Sequence, residues 1–114
     1  MKKRDMRLYL NDIRESIAAV EEYTKGATEE DFCRNRQVQD AVIRRLEIIG
    51  EAAKNIDDDT REKHPEIPWK RIAGLRDIIA HEYFGVKFER IWEVVVKDLP
   101  DLKKKLSKMK EECG

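Results

Sequence analysis

The sequence is poor in residues that interrupt helices and in residues that cross-link a chain. Among its 114 residues are five glycines, three prolines and two cysteines. Cys33 and Cys113 cannot form a disulfide framework, and neither stands near a histidine at a zinc-site spacing. We therefore expect both to be ordinary thiols.

The sequence also lacks net charge and long apolar runs. Its 24 basic and 24 acidic residues cancel, so no overall field draws it to nucleic acid or membrane, and any such contact must be local. No apolar run approaches the roughly 20 residues of a membrane span. The start, Met1-Lys2-Lys3-Arg4-Asp5, leads into an amphipathic pattern rather than a signal-peptide core. We expect a cytoplasmic protein without membrane contact.

Charged residues (42%) and hydrophobic residues (40%) dominate, which is typical of amphipathic helices with solvated outer faces. We expect an all-α protein, one helical domain over residues 1–114, built as an antiparallel bundle. Apolar residues three and four apart predict four main helices, and Thr28 and Phe32 predict a short extra one. The main helices cover about Asp5 to Tyr23, Val38 to Ile56, Pro68 to Tyr83, and about Lys87 to Met109, with Pro100 as a candidate kink.

Two short stretches allow more than one interpretation. One lies in the second half of the predicted helix from Val38 to Ile56, and the other follows that helix. Gly50, Ala52 and Ala53 make the helix thin, which favours close packing within the chain or against a second protomer. The run Asp57-Asp58-Asp59 suits a solvated helix end better than a metal site, because consecutive side chains diverge. His64, in the following turn-like run, is expected to be solvated.

The third helix carries Arg76, His81 and Tyr83, three side chains able to act on phosphate. His81 is the candidate for a group that titrates near neutral pH. At about 100° per residue, Arg76 and Tyr83 share a face, whereas Arg76 and His81 lie about 140° apart. Three arrangements unite them: a distorted helix, an Arg76 side chain that curls around, or a second copy across a two-fold axis.

The third arrangement has a chemical advantage. RNA cleavage by its own 2′-hydroxyl requires a base, an acid and a cation that stabilises the phosphorane. One chain offers one suitable histidine, and a two-fold dimer offers two. From spacing alone, a packed or capping histidine is nonetheless the commoner explanation.

The segment Arg76-Asp77-Ile78-Ile79-Ala80-His81 resembles the signature of HEPN domains, and the continuation to Tyr83 resembles the HepT toxin branch. Further blocks follow in the family's order. They are Ala41–Ala53, Ile67-Pro68-Trp69, His81–Gly85, Ile91-Trp92 and Asp98-Leu99-Pro100.

The resemblance implies a homodimeric, metal-independent endoribonuclease without a cofactor, in which Arg76 and His81 are catalytic and Asp77 orients them. It also implies a toxin-antitoxin pair, in which an MNT-type nucleotidyltransferase antitoxin attaches AMP to Tyr83.

The alternative is a non-enzymatic helical module that binds a nucleotidyltransferase or a nucleotide. An intact Arg76/His81 pair favours the enzyme, since a binder has no chemical need for the histidine. The run Lys103-Lys104-Lys105 is interpreted as a solvated face rather than an RNA contact.

Overall fold

The structure, a computed structural model, describes the backbone of residues 5–85 and 88–113 and the side chains of residues 5–80 and 88–109. Within these ranges it is a bundle of helices without strands, as predicted. The helices are α1 (Met6–Thr24), α2 (Glu29–Arg34), α3 (Arg36–Lys54), α4 (Asp58–Lys63), α5 (Trp69–Ala73), α6 (Leu75–Gly85), α7 (Phe88–Glu93) and α8 (Leu99–Cys113), with a π-helical turn (Val94–Asp98) between α7 and α8.

Polar side chains define where the first helices begin. Asp5 accepts a hydrogen bond from the Arg7 backbone at the start of α1, and Asn35 accepts one from Val38 at the start of α3. Thr28 and Asp31 form a reciprocal capping box at α2, which confirms the predicted helix start. Gly26 has a φ of 75°, a left-handed conformation that glycine adopts without strain, so the chain turns directly after α1.

Helix α3 is the centre of the packing. It lies against α1 along much of its length, and it also packs against α5 and α6. The apolar stripes predicted for the main helices face inward, and the buried set includes Leu10, Ile13, Ile17, Val20, Val42, Leu46, Ile49, Ala53, Leu99, Leu102, Leu106 and Met109. Hydrophobic burial therefore holds α1, α3 and α8 together.

The aspartate run forms a helix start. Asp57 caps α4 by accepting a hydrogen bond from the Thr60 backbone at 2.9 Å. Asp58 and Asp59 lie in its first turn, where the helix dipole favours negative charge. No group of side chains able to hold a metal ion occurs in the described part of the chain.

The expectation of a solvated His64 is wrong. Its side chain is buried, with 7% of its surface exposed, and its Nδ1 lies 3.6 Å from Oε1 of Glu66. A residue five positions further on holds this turn. Trp69 is buried and donates its indole N–H to the His64 carbonyl at 3.0 Å, which folds the turn against the bundle.

The third predicted helix is divided at Gly74 into α5 and α6. Gly74 adopts φ −72° and ψ −6°, and its carbonyl accepts hydrogen bonds from the backbone of both Asp77 and Ile78. Glycine is a weak helix former, so the division falls at the position where helical continuity is least favoured.

The last predicted helix is distorted just before Pro100. Proline has no backbone N–H, and its ring crowds the carbonyl four residues earlier, which here belongs to Val96. The chain widens into the π-helical turn, and the Leu99 N–H donates to the Val94 carbonyl. The predicted disturbance is confirmed, although it lies one turn ahead of the proline.

In the described part of the chain, no helix is long and apolar enough to cross a membrane.

Candidate functional site

The candidate site lies where α3 passes the junction between α5 and α6. Gly50 occupies the crossing, and a Cβ atom there would lie 3.1 Å from Cγ of Arg76 and 3.3 Å from the Arg76 backbone nitrogen. The same Cβ would lie 3.4 Å from the carbonyl oxygen of Ile72. Two of these neighbours are backbone atoms, so the approach depends on the absence of a side chain at Gly50. The thin segment thus packs within the chain, which confirms one of the two interpretations offered for it.

Arg76 forms an ion pair with Glu51 across this crossing. Nη1 of Arg76 donates to Oε2 of Glu51 at 2.5 Å, and the two side chains are 53% and 51% exposed. Charge-assisted hydrogen bonds of this kind are shorter and stronger than bonds between neutral groups. Because solvent screens a half-exposed pair, its contribution to the free energy of unfolding is about 1 kcal/mol or less. The pair therefore orients the guanidinium more than it stabilises the fold.

Asp77 lies beside Arg76 in the first turn of α6 and is exposed. Its carboxylate is favourably placed for the positive end of the helix dipole. Among the described residues, no hydrogen bond or ion pair joins it to Arg76. Among the described residues, the acidic partner of Arg76 is Glu51, which lies 25 residues earlier in the sequence but adjacent in space.

His81 and Tyr83 belong to the helical backbone of α6, but their side chains lie outside the described residues. The backbone of α6 is helical from Leu75 to Gly85, without a break between Arg76 and His81. The Arg76 side chain reaches to α3 and not around its own helix. Within the described residues, the helix shows no distortion and the Arg76 side chain does not curl toward His81, so the arrangement with a second copy stays a prediction.

Other reactive groups in the described part of the chain lie elsewhere. Arg71 is bound to Asp98 at 3.1 Å, beside a cavity of about 50 Å³, which has room for little more than a few water molecules. Cys33 lies on α2, where burial raises the pKa of its thiol and the carboxylates of Glu89 and Glu29 raise it further. A raised pKa keeps the thiol protonated at neutral pH, as expected for an ordinary cysteine.

Glu51 is the residue of this site that the sequence analysis missed. A signal was present, because Glu51 lies between Gly50 and Ala52 in the thin part of α3 that was predicted to admit a close neighbour. The identity of the neighbour was not available from the pattern. Because the residues beside Glu51 are small, a neighbouring helix can approach closely and bring a basic side chain within reach of its carboxylate.

The fold and site define a class of small helical proteins that present a fixed, solvent-accessible arginine at a helix crossing. The profile of the Ribonuclease HepT-like family matches residues 13–109. The chain belongs to this family, so it is an enzyme of the ribonuclease class. The resemblance drawn from its motifs is confirmed.

Individual relatives agree with the family assignment. A Methanocaldococcus jannaschii protein named "Gamma-glutamylcyclotransferase and putative RNase" is 54% identical over 110 residues, which is 96% of this chain and 50% of that protein. The chain thus spans about half the length of this relative. A Thermococcus cleftensis protein named "Probable ribonuclease HepT" is 48% identical, covering 96% of this chain and 99% of its own. A second M. jannaschii protein, named "Putative RNase", is 46% identical, covering 93% and 97%. No solved structure matches the chain.

The crossing at Gly50 generates a stability prediction. Gly50→Leu forces side-chain atoms against the Arg76 and Ile72 backbone, so α3 and the α5–α6 junction must separate. We expect the free energy of unfolding to fall by about 1–3 kcal/mol, measured by urea denaturation followed by circular dichroism. Glu47→Leu, at an exposed position one turn earlier on α3, is the control and should change it by about 0.5 kcal/mol or less. A Gly50→Leu protein as stable as the wild type would contradict the close approach.

Proposed function

We propose that the protein is a metal-independent endoribonuclease that cleaves RNA by transesterification at a composite site in a homodimer. Arg76 and His81 are its catalytic residues. The observation that carries the proposal is the Arg76 guanidinium, which is held in place at the α3–α6 crossing and is still half exposed to solvent. Membership of the ribonuclease family supports RNA as the substrate.

In the proposed reaction the 2′-oxygen of a ribose attacks the adjacent phosphorus. A bond forms between the 2′-oxygen and phosphorus while the bond from phosphorus to the 5′-oxygen breaks. One His81 imidazole accepts the 2′-hydroxyl proton, and the protonated imidazole of the second copy donates a proton to the leaving 5′-oxygen. The products are a 2′,3′-cyclic phosphate and a 5′-hydroxyl. Arg76 stabilises the charge that develops on the phosphorane, and Asp77 orients the two catalytic side chains.

Regulation completes the proposal. The protein acts as the toxin of a toxin-antitoxin pair in the cytoplasm, and its partner is an MNT-type nucleotidyltransferase. The partner attaches AMP to Tyr83, seven residues after Arg76 on the same helix. The added phosphate brings negative charge to the face of α6 that carries Arg76, where it competes with the phosphate of RNA.

The first prediction from the proposed function concerns the reaction. Purified protein should cleave a 5′-labelled unstructured RNA oligonucleotide in the presence of EDTA and leave 2′,3′-cyclic phosphate ends, identified by mass spectrometry. Arg76→Ala and His81→Ala should each lower the rate by at least about a hundredfold while circular dichroism remains unchanged. Arg34→Ala, which removes an exposed arginine paired with Glu30 on α2, is the matched control and should remain active. Full activity in a folded His81→Ala protein would refute the assignment.

The second prediction concerns assembly. If one His81 acts as base and the other as acid, a heterodimer of wild-type and His81→Ala chains should be nearly as inactive as the His81→Ala homodimer. Differently tagged chains allow the heterodimer to be purified and assayed, and analytical ultracentrifugation gives the oligomeric state. Half of the wild-type rate in the heterodimer, or a monomer at concentrations that cleave RNA, would exclude the composite site.

The third prediction concerns Tyr83. Incubation with a cognate MNT-type nucleotidyltransferase and ATP should add AMP to Tyr83, located by peptide mass spectrometry, and should abolish RNA cleavage. Tyr83→Phe should still cleave RNA and should resist inactivation. Tyr23→Phe, at an exposed tyrosine on α1, should be inactivated like the wild type. AMP attached elsewhere, or undiminished cleavage after complete modification, would rule out this switch.

A further inference from the structure

We propose that Glu51 is a positioning residue of the ribonuclease site, which acts by fixing the plane of the Arg76 guanidinium. The inference rests on the proposed function of Arg76 and adds a residue that lies outside the Arg-to-His motif. The Glu51 carboxylate meets Nη1 of Arg76 at 2.5 Å, and both residues lie at the crossing of α3 with α6.

The backbone geometry distinguishes this ion pair from an incidental surface contact. Gly50 brings α3 so close to α6 that a Cβ at Gly50 would lie 3.3 Å from the Arg76 nitrogen. Glu51 follows Gly50 directly, so the two charged side chains begin from adjacent points on packed helices. Two long side chains normally lose much conformational freedom when they pair on a surface. Here the packed helices hold the two residues within reach of each other, so the pair forms without any movement of the backbone.

The donor arrangement of arginine allows the pair and the substrate to be bound together. A guanidinium carries several N–H donors in one rigid plane, and Glu51 accepts from Nη1 alone among the contacts of the described residues. The remaining edge is free to bind two phosphate oxygens in a bidentate manner. Since the Arg76 side chain is 53% exposed, the guanidinium is accessible to RNA while it is paired with Glu51.

The charges predict a specific kinetic signature. The carboxylate partly neutralises Arg76 before RNA binds, so its removal leaves the arginine more attractive to a ground-state phosphate. The freed side chain, however, samples many orientations and seldom matches the phosphorane. Loss of Glu51 should therefore lower kcat, whereas the KM for RNA should stay equal or decrease.

The experiment compares steady-state cleavage of the labelled RNA oligonucleotide by wild-type, Glu51→Ala and Glu51→Gln dimers. We expect Glu51→Ala to lower kcat by about tenfold or more without raising KM, since misplacement of a catalytic group is costly. Glu51→Gln retains an oxygen acceptor for Nη1 and should recover kcat to within about threefold of the wild type. Glu47→Ala, one turn earlier on α3 and also exposed, is the matched control and should behave as the wild type.

In an Arg76→Lys background, the further change Glu51→Ala should cause no additional loss of kcat, because Glu51 acts through the arginine.

Two outcomes separate this inference from the proposed function. A wild-type protein that cleaves no RNA would overturn the proposed function. An active wild type with unchanged kcat in Glu51→Ala, with a loss confined to a higher KM, or with no rescue by Glu51→Gln would overturn the role of Glu51 alone.

Discussion

The close approach of α3 to the α5–α6 junction at Gly50 is the constraint on which the candidate site depends. It brings the Arg76 backbone against the central helix and places Glu51 next to the arginine. A Cβ atom at Gly50 would lie 3.3 Å from the Arg76 backbone nitrogen, a tight contact that requires the neighbouring helix to shift, and a larger side chain would require more. Since α3 is itself buried against α1, it cannot move away without exposing the core. The position of Arg76 is therefore set by the packing of the bundle.

The segment before α6 contributes a second anchor. Trp69 and Ile72 of α5 are buried, and the Trp69 indole is bonded to the His64 carbonyl. The chain then changes direction at Gly74, directly before the first turn of α6. Arg76 thus lies two residues after a break and four residues after a buried isoleucine. A break close to a rigid anchor lets α6 take its own direction while its first turn remains fixed on α3.

The features that the sequence predicted correctly are those set by neighbouring residues. The stripes at three and four residues, the Thr28 capping box and the disturbance before Pro100 all follow from local chemistry. The features that differed depend on how the elements pack. His64 lies in a turn that the buried Trp69 holds against the bundle, and Glu51 meets Arg76 because Gly50 admits a helix that lies 25 residues further on. Such pairings become visible only after the helices are packed.

The residues that stabilise the fold and the residues of the candidate site are different, so stability and an accessible arginine do not compete in this short chain. The stability of the bundle comes from buried residues such as Ile13, Leu46 and Leu106, whereas Arg76 and Glu51 remain half exposed. A screened ion pair adds little to folding, so evolution can tune it for direction without unfolding the protein. Full burial would increase the Coulombic attraction within the pair, but it would cost desolvation energy and would remove the arginine from solvent and from any phosphate. Half-exposure at a rigid crossing is the arrangement that keeps a cation both oriented and accessible.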